Sequence, residues 1–325
     1  MRSRIAVLLL TAIALTACTS RTGPSVTGSD SASETAPSGP SKVTREQLGD
    51  ADPCGFLDNS TLTALGKIDY ENGVFYTDCT AAIDAPGNAL RIRASLQLDK
   101  SGRDPGDPWE ETERRGLTVW TAAEQSYGCE REIQAYDDAV VALWASETDT
   151  SGTICDIADK AADAAIEQLL SGAISPHQVP PNSLFNQDSC ALVTDEDAAR
   201  VAEIDSKDRH PAFAGQSCNW GAEDITQPGL FVSFTRYEPP TVDDPGEQAT
   251  EIAGRPAVVT QEQRDAVPAI GPSLPSCEVE VVYHTDSVNQ AEILTVSIRN
   301  NGTPASNCPL ATELATKAMA ELPGE

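Results

Sequence analysis

The chain has 325 residues, enough for two ordinary domains. Its 22 Lys and Arg stand against 50 Asp and Glu, a net charge of −28 that excludes a nucleic-acid binder, because a phosphate backbone demands a basic face. Hydrophobic residues at 40% allow buried cores and exclude a wholly disordered chain, while aromatics at 5% leave little for stacking platforms.

Arg2 and Arg4 form a short basic start, and Ile5 to Leu15 an apolar stretch too short to span a bilayer comfortably. It ends Leu15-Thr16-Ala17-Cys18. Small residues before a Cys at this place resemble a bacterial lipobox, in which Cys18 takes the lipid through sulfur and becomes the new N-terminus. The expectation is a leader at 1–17, then a lipidated Cys18 and a Ser/Thr/Gly/Pro-rich tether over 18–42. Partners then include the membrane, through the lipid anchor, and the expected location is the extracytoplasmic face of the cell membrane. There, paired cysteines read first as disulfides.

Eight further cysteines fall at 54, 79, 129, 155 and at 190, 218, 277, 308. The short-long-short rhythm occurs twice, which predicts a tandem duplication. Local sequence follows the rhythm. Pro53-Cys54-Gly55-Phe56-Leu57-Asp58 aligns with Ser189-Cys190-Ala191-Leu192-Val193-Thr194, and Asp58 and Thr194 are helix-capping residue types. Leu62 and Leu65 match Ala198 and Val201 at helical spacing. Alternation over Leu90–Leu98 predicts a strand, with Leu230–Tyr237 as its counterpart, and β-formers follow Cys129 and Cys277. Closing helices carry Ile157, Ala161, Ala165, Leu169 and Leu310, Leu314, Ala318, Leu322 on one face, with Pro309 placed in a first turn.

The fold class is therefore α+β: two disulfide-stapled domains at 43–174 and 184–325, each an antiparallel sheet packed by an N-terminal and a C-terminal helix. A Pro-rich linker at 175–183 joins them. Four cysteines allow three connectivities, and the expected one joins sequence neighbours: Cys54–Cys79, Cys129–Cys155, Cys190–Cys218 and Cys277–Cys308.

The lipobox, the tether, Asp52-Pro53-Cys54-Gly55-Phe56-Leu57, Ser189-Cys190-Ala191-Leu192-Val193 and Cys218-Asn219-Trp220 together resemble an actinobacterial envelope-lipoprotein family of unknown function. Its copies open with Asp-Pro-Cys-x-Leu-Leu and later carry Cys-x-Trp. More distantly, the chain is similar to extracellular sensor modules of mycobacterial receptor serine/threonine kinases, which are two-disulfide α+β units. The first copy departs from the pattern, with Phe56 for Leu and no Trp after Cys79. The resemblance implies location and fold and carries no catalytic residues.

No nucleophile elbow, phosphate loop, zinc-protease motif or dinucleotide fingerprint occurs, so no catalytic residue, metal ligand or cofactor is assigned. Of three His, His177 falls in the linker, His210 in a loop and His284 at a strand end. His284 with Asp286 and Ser287 offers the makings of a triad, but a surface His is the plainer reading. Asp99, Ser101 and Glu110 match three positions of a calcium loop, yet Arg103 and Asp104 occupy a ligand position and the glycine position, so this stretch reads as a solvated loop. Trp120 and Trp144 are expected in the core, Trp220 on its disulfide, and Trp109 as an exposed contact.

The expected function is a non-enzymatic, lipid-anchored binding protein of the envelope whose partner is an envelope protein or small ligand. An envelope hydrolase and a passive spacer are the alternatives.

Overall fold

A computed structural model describes residues 41–57, 60–85, 88–98, 109–122, 128–136, 138–147, 154–222, 226–262, 273–287 and 289–324. The expected leader at 1–17, Cys18, nearly all of the expected tether, Asp58 and residues 99–108 lie outside these residues.

The first repeat opens with short turns of helix. Thr44 caps α1 (Arg45–Gly49) in a reciprocal capping box with Gln47; a 3-10 turn (Pro53–Leu57) and α2 (Ser60–Thr63) follow. Then come β1 (Lys67–Asn72), β2 (Asp78–Ala85), β3 (Asn88–Leu98), β4 (Trp109–Arg114), β5 (Leu117–Ala122), β6 (Cys129–Tyr136), β7 (Ala139–Glu147) and the long helix α3 (Ile154–Ser171). The seven strands are antiparallel in the order β1-β2-β3-β7-β6-β5-β4. A three-strand meander is laid down first; the chain then crosses to the far edge and returns strand by strand until β7 closes on β3.

The second repeat follows the same path. After 3-10 turns at Leu184–Asn186 and Ser189–Ala191 come α4 (Asp195–Ala198), β8 (Arg209–Pro211), a 3-10 turn (Phe213–Gly215), β9 (Ser217–Gly221), β10 (Gly229–Tyr237), β11 (Glu247–Ile252), β12 (Arg255–Glu262), β13 (Ser276–Thr285), β14 (Ala291–Arg299) and α5 (Pro304–Glu321). Its order, β8-β9-β10-β14-β13-β12-β11, is that of the first sheet strand for strand. The fold is α+β, two antiparallel seven-stranded sheets carrying four disulfides.

Each closing helix lies on one face of its sheet, α3 against β6 and β7, α5 against β13 and β14. On α3 the buried stripe is Ala158, Ala161, Ala162, Ala165, Ile166 and Leu169; small residues let the helix approach the sheet closely. Arg131 points to this inner face and pairs with Asp159 of α3 at 2.8 Å, with Arg114 joining at 2.6 Å. Thr303, not Cys308, caps α5, and Pro304 takes its first position. Pro309 therefore sits inside the helix, where its ring removes one helical hydrogen bond, and not in the first turn as the sequence suggested.

Strand parity corrects the tryptophans. Leu117 and Val119 face the core, so Trp120 faces outward; Leu143 and Ala145 face the core, so Trp144 also faces outward. Both are half-buried on the outer face of the first sheet. The Trp144 ring lies against Gly128, where a Cβ would come within 2.8 Å of it and 2.5 Å of the Ala145 carbonyl. Trp220, by contrast, is fully buried, on the same face of β9 as Cys218.

The joint between the repeats is a docked strap and not a free spacer. Ala51 bridges Pro176, Asp52 N donates to Ser175 O at 2.8 Å, and His177 N donates to Asp50 O at 2.9 Å. On the other side, the Tyr283 hydroxyl meets Asn182 O at 3.0 Å.

The repeats also exchange aromatic residues. Tyr76, in the β1–β2 turn, is buried in the second core beside Leu184 and Phe185. Phe213, in the matching β8–β9 turn, is buried in the first core, with the Arg45 guanidinium 5.8 Å from its ring centre. Gly73 makes the first turn possible, since a Cβ there would stand 2.3 Å from that of Asp78.

Candidate functional site

Polar residues gather at a cleft and on the outer faces of the two sheets. The first is a cleft of about 820 Å³, lined by the second repeat except for Leu98 of the first. Leu98, at the end of β3, lines it together with Ile204, Pro211 and Pro228 of the second repeat and with the polar residues Glu203, Asp205, Asp208, Arg209 and His210. Its volume falls in the range of small-ligand pockets. His210 Nε2 lies 2.9 Å from Asp208 Oδ1, and both side chains are about half exposed. Glu203 holds a φ of 73°, a left-handed conformation uncommon outside glycine, and its carboxylate accepts a hydrogen bond from Asn301 Nδ2.

The second feature repeats. Cys129-Glu130-Arg131-Glu132 on β6 and Cys277-Glu278-Val279-Glu280 on β13 occupy equivalent strands. In each, the cysteine turns inward to its disulfide and the two glutamates turn outward. In the first sheet Glu130 stands opposite Trp144, whose other neighbour is Arg93, and Glu132 stands opposite Trp120. In the second, Glu280 stands between Val258 and Thr295 and takes a hydrogen bond from the Tyr237 hydroxyl.

Burial, and after it the neighbouring Glu132, raises the Glu130 pKa above the ordinary carboxylate value; Arg93 opposes this. Burial likewise raises that of Glu280, with Glu247 adding to the shift and the Tyr237 bond opposing it. The Tyr237 phenol is pushed well above the usual tyrosine range by burial first and by Glu280 next. The buried Thr235 hydroxyl, two residues before it, opposes that shift.

The singled-out residues fall as follows. Disulfides join Cys54 to Cys79, Cys129 to Cys155, Cys190 to Cys218 and Cys277 to Cys308. Trp109 opens β4, half-buried, on the same outer face as Trp120 and Trp144. His177 is part of the seam, its Nε2 2.8 Å from Tyr76 O and its ring 4.6 Å from that of Phe185. His284 stands across from Glu292, while Asp286 is taken up by Arg236 at 3.0 Å and by Gln290 N at 2.9 Å, so these residues do not assemble as a triad. Among the described residues no group of three or more His, Cys, Asp or Glu is arranged to hold a metal ion, and no helix is long and apolar enough to cross a membrane.

Sequence reasoning missed the Tyr76–Phe213 exchange and the Cys-Glu-x-Glu repeat. The second was visible in the aligned cysteines; the first was not, since neither turn differs in composition from an ordinary surface turn.

No curated protein matches the chain. The crystal structure of the di-domain ARO/CYC BexL from the BE-7585A biosynthetic pathway is 11% identical over 86% of this chain and 96% of its own, with a TM-score of 0.15, too low to bear on fold or function. A family described as "Protein of unknown function (DUF3558)" matches residues 171–321, so the second repeat, with the strap that leads into it, is similar to a family whose function is not assigned.

Proposed function

We propose that the chain is a lipid-anchored binding protein on the outer side of a cell membrane, its two repeats forming one scaffold that takes a ligand or partner without transforming it. The observation that carries this reading is the seam: exchanged aromatics and a docked strap hold the two repeats together, and Leu98 of the first repeat helps to line a cleft otherwise made by the second. Domain interfaces of this kind are favoured places for ligands. Four disulfides fit an oxidising, extracytoplasmic compartment. The sequence Leu15-Thr16-Ala17-Cys18 supports an anchor, and the likeness to an envelope-lipoprotein family supports the same location.

Fractionation of the producing cell tests the reading. The chain stays with the membrane and is cut by protease added outside intact cells, whereas Cys18→Ala releases it. A wild-type chain found soluble, or protected from external protease, contradicts it.

One observation favours a second reading. The His210–Asp208 pair at the cleft has the geometry of a base and the carboxylate that orients it, as a hydrolase requires. Turnover of a fluorogenic ester, lost in His210→Ala, decides for that reading.

A further inference from the structure

We propose that the second repeat holds a separate site for an uncharged sugar ring, beside the N-terminal turns of α5. The site goes beyond the reading above: it shares only Glu203 with the larger cleft and does not depend on the membrane anchor.

The site is a pocket of about 430 Å³, within the range of small-ligand sites. Its walls come from the turn after α4, the loop that leaves β14 and the first turns of α5. Gly302 makes the hollow. A Cβ there would fall 2.6 Å from Ser306 Oγ, 2.8 Å from Asn300 Oδ1 and 3.5 Å from Asn307 Oδ1, so three polar side chains converge on a point that any other residue would fill.

Two of the three are nine-tenths buried and only half used. Asn300 is 8% exposed and its Oδ1 accepts from Gly302 N at 2.8 Å; Asn307 is 4% exposed and its Nδ2 donates to Pro275 O at 3.2 Å. The opposite ends of these amides, Asn300 Nδ2 and Asn307 Oδ1, have no hydrogen-bond partner among the described residues. One donor and one acceptor are thus left open in the pocket that both side chains line.

The charged groups of the wall are already engaged. Arg200 holds both Glu313 oxygens, at 2.7 and 2.6 Å, and the Glu203 carboxylate takes Asn301 Nδ2. An anionic ligand would also meet the repulsion of a net charge of −28. A sugar suits the open pair because every hydroxyl both donates and accepts, so neighbouring hydroxyls satisfy an amide nitrogen and an amide oxygen together. Buried groups short of a partner reward such a ligand more than exposed ones. Ile298 and Leu310 supply apolar wall for the C–H face of the ring.

Saturation-transfer NMR of the full chain with the methyl glycosides of glucose, galactose, mannose and arabinose tests the proposal. Tetrahydropyran-2-methanol, a ring without ring hydroxyls, and acetamide, a lone amide, are the controls. At least one glycoside is expected to saturate in the millimolar range, with both controls at least tenfold weaker. Asn307→Ala is expected to weaken it at least tenfold. Ala202→Trp, at an exposed wall position that the larger cleft lacks, fills the pocket with every internal hydrogen bond kept and is expected to abolish binding; it decides the matter if Asn307→Ala does not fold. No saturation by any of the four, controls that bind equally, or affinity unchanged in Ala202→Trp overturns the proposal. A chain that ignores all four yet stays membrane-bound and protease-accessible refutes this inference alone.

Discussion

Tyr76 and Phe213 occupy the same turn of two successive repeats, and each is buried in the core of the other repeat. The exchange is reciprocal, so neither core is complete within its own stretch of chain. Around Tyr76 the seam is polar as well as aromatic: Ser183 Oγ and Leu184 N both donate to the buried Glu292 carboxylate, and Arg236 N donates to Val74 O at 2.7 Å. Burial first, and Glu292 next, hold the Tyr76 phenol well above the usual tyrosine range, so it stays neutral at any physiological pH.

Tyr76→Ala and Phe213→Ala are each expected to cost about 3–4 kcal/mol, the penalty of emptying a large aromatic site in a core. Because each residue supports the other repeat's core, hydrogen exchange will rise in both sheets in either variant. Exchange that rises in one sheet alone contradicts the coupling.

The Tyr76 hydroxyl is buried beside the Glu292 carboxylate and the Ser183 hydroxyl, and both act on it as hydrogen-bonding neighbours. Tyr76→Phe removes that polar contact and is expected to cost about 0.5–1.5 kcal/mol. Urea denaturation reads the difference; an unchanged or raised stability contradicts a contribution from the hydroxyl.

Asp159 sits on α3 between Arg131, which is 4% exposed, and Arg114. Burial pushes its carboxyl upward, but hydrogen bonds from Arg131 and Arg114 outweigh this and leave the pKa below the ordinary value. A depressed carboxyl stabilises the fold above the unfolded pKa of about 3.9, and that contribution is lost as pH falls through the lower folded value. Asp159→Asn should therefore flatten stability between about pH 4 and the acid limit, and cost about 2–3 kcal/mol at neutral pH by leaving Arg131 short of a partner. Asp159 is one-third exposed, and solvent screening holds the loss below that of a fully buried pair. Thermal melts across that pH range check the sign.

Each disulfide closes a loop of 25 to 31 residues. In the chain-entropy view such a loop contributes about 3.5 kcal/mol. Paired replacement by Ser at Cys129 and Cys155, or at Cys277 and Cys308, is expected to cost nearly equal amounts, since the two bridges hold equivalent strands to equivalent helices. Guanidinium denaturation that separates them by more than about 2 kcal/mol argues against structural equivalence.

Much of the fold was legible in the sequence because a disulfide framework and a duplication leave marks that survive without any knowledge of contacts. Cys79 and Cys218 marked the starts of matching strands, and the alternation of Leu90 to Leu98 gave β3 directly. The opening helices were less legible: α2 stops at Thr63 and α4 at Ala198, so the Leu62–Leu65 and Ala198–Val201 spacing reports a single turn and not a full stripe. Trp120 and Trp144 were misplaced because hydrophobicity alone puts an indole inside, while strand parity, set by smaller neighbours such as Val119 and Leu143, puts it outside. The seam left no local mark, since a turn that inserts into another repeat reads like a turn facing water.

Mass spectrometry of the chain extracted from its own membrane tests directly how the nine cysteine sulfurs are divided. The predicted result is an N-terminal peptide that begins at Cys18 and carries the mass of acyl chains, together with four linked peptide pairs that separate only on reduction. A peptide running intact from Met1 through an unmodified Cys18, or a free thiol at any of the other eight positions, contradicts it.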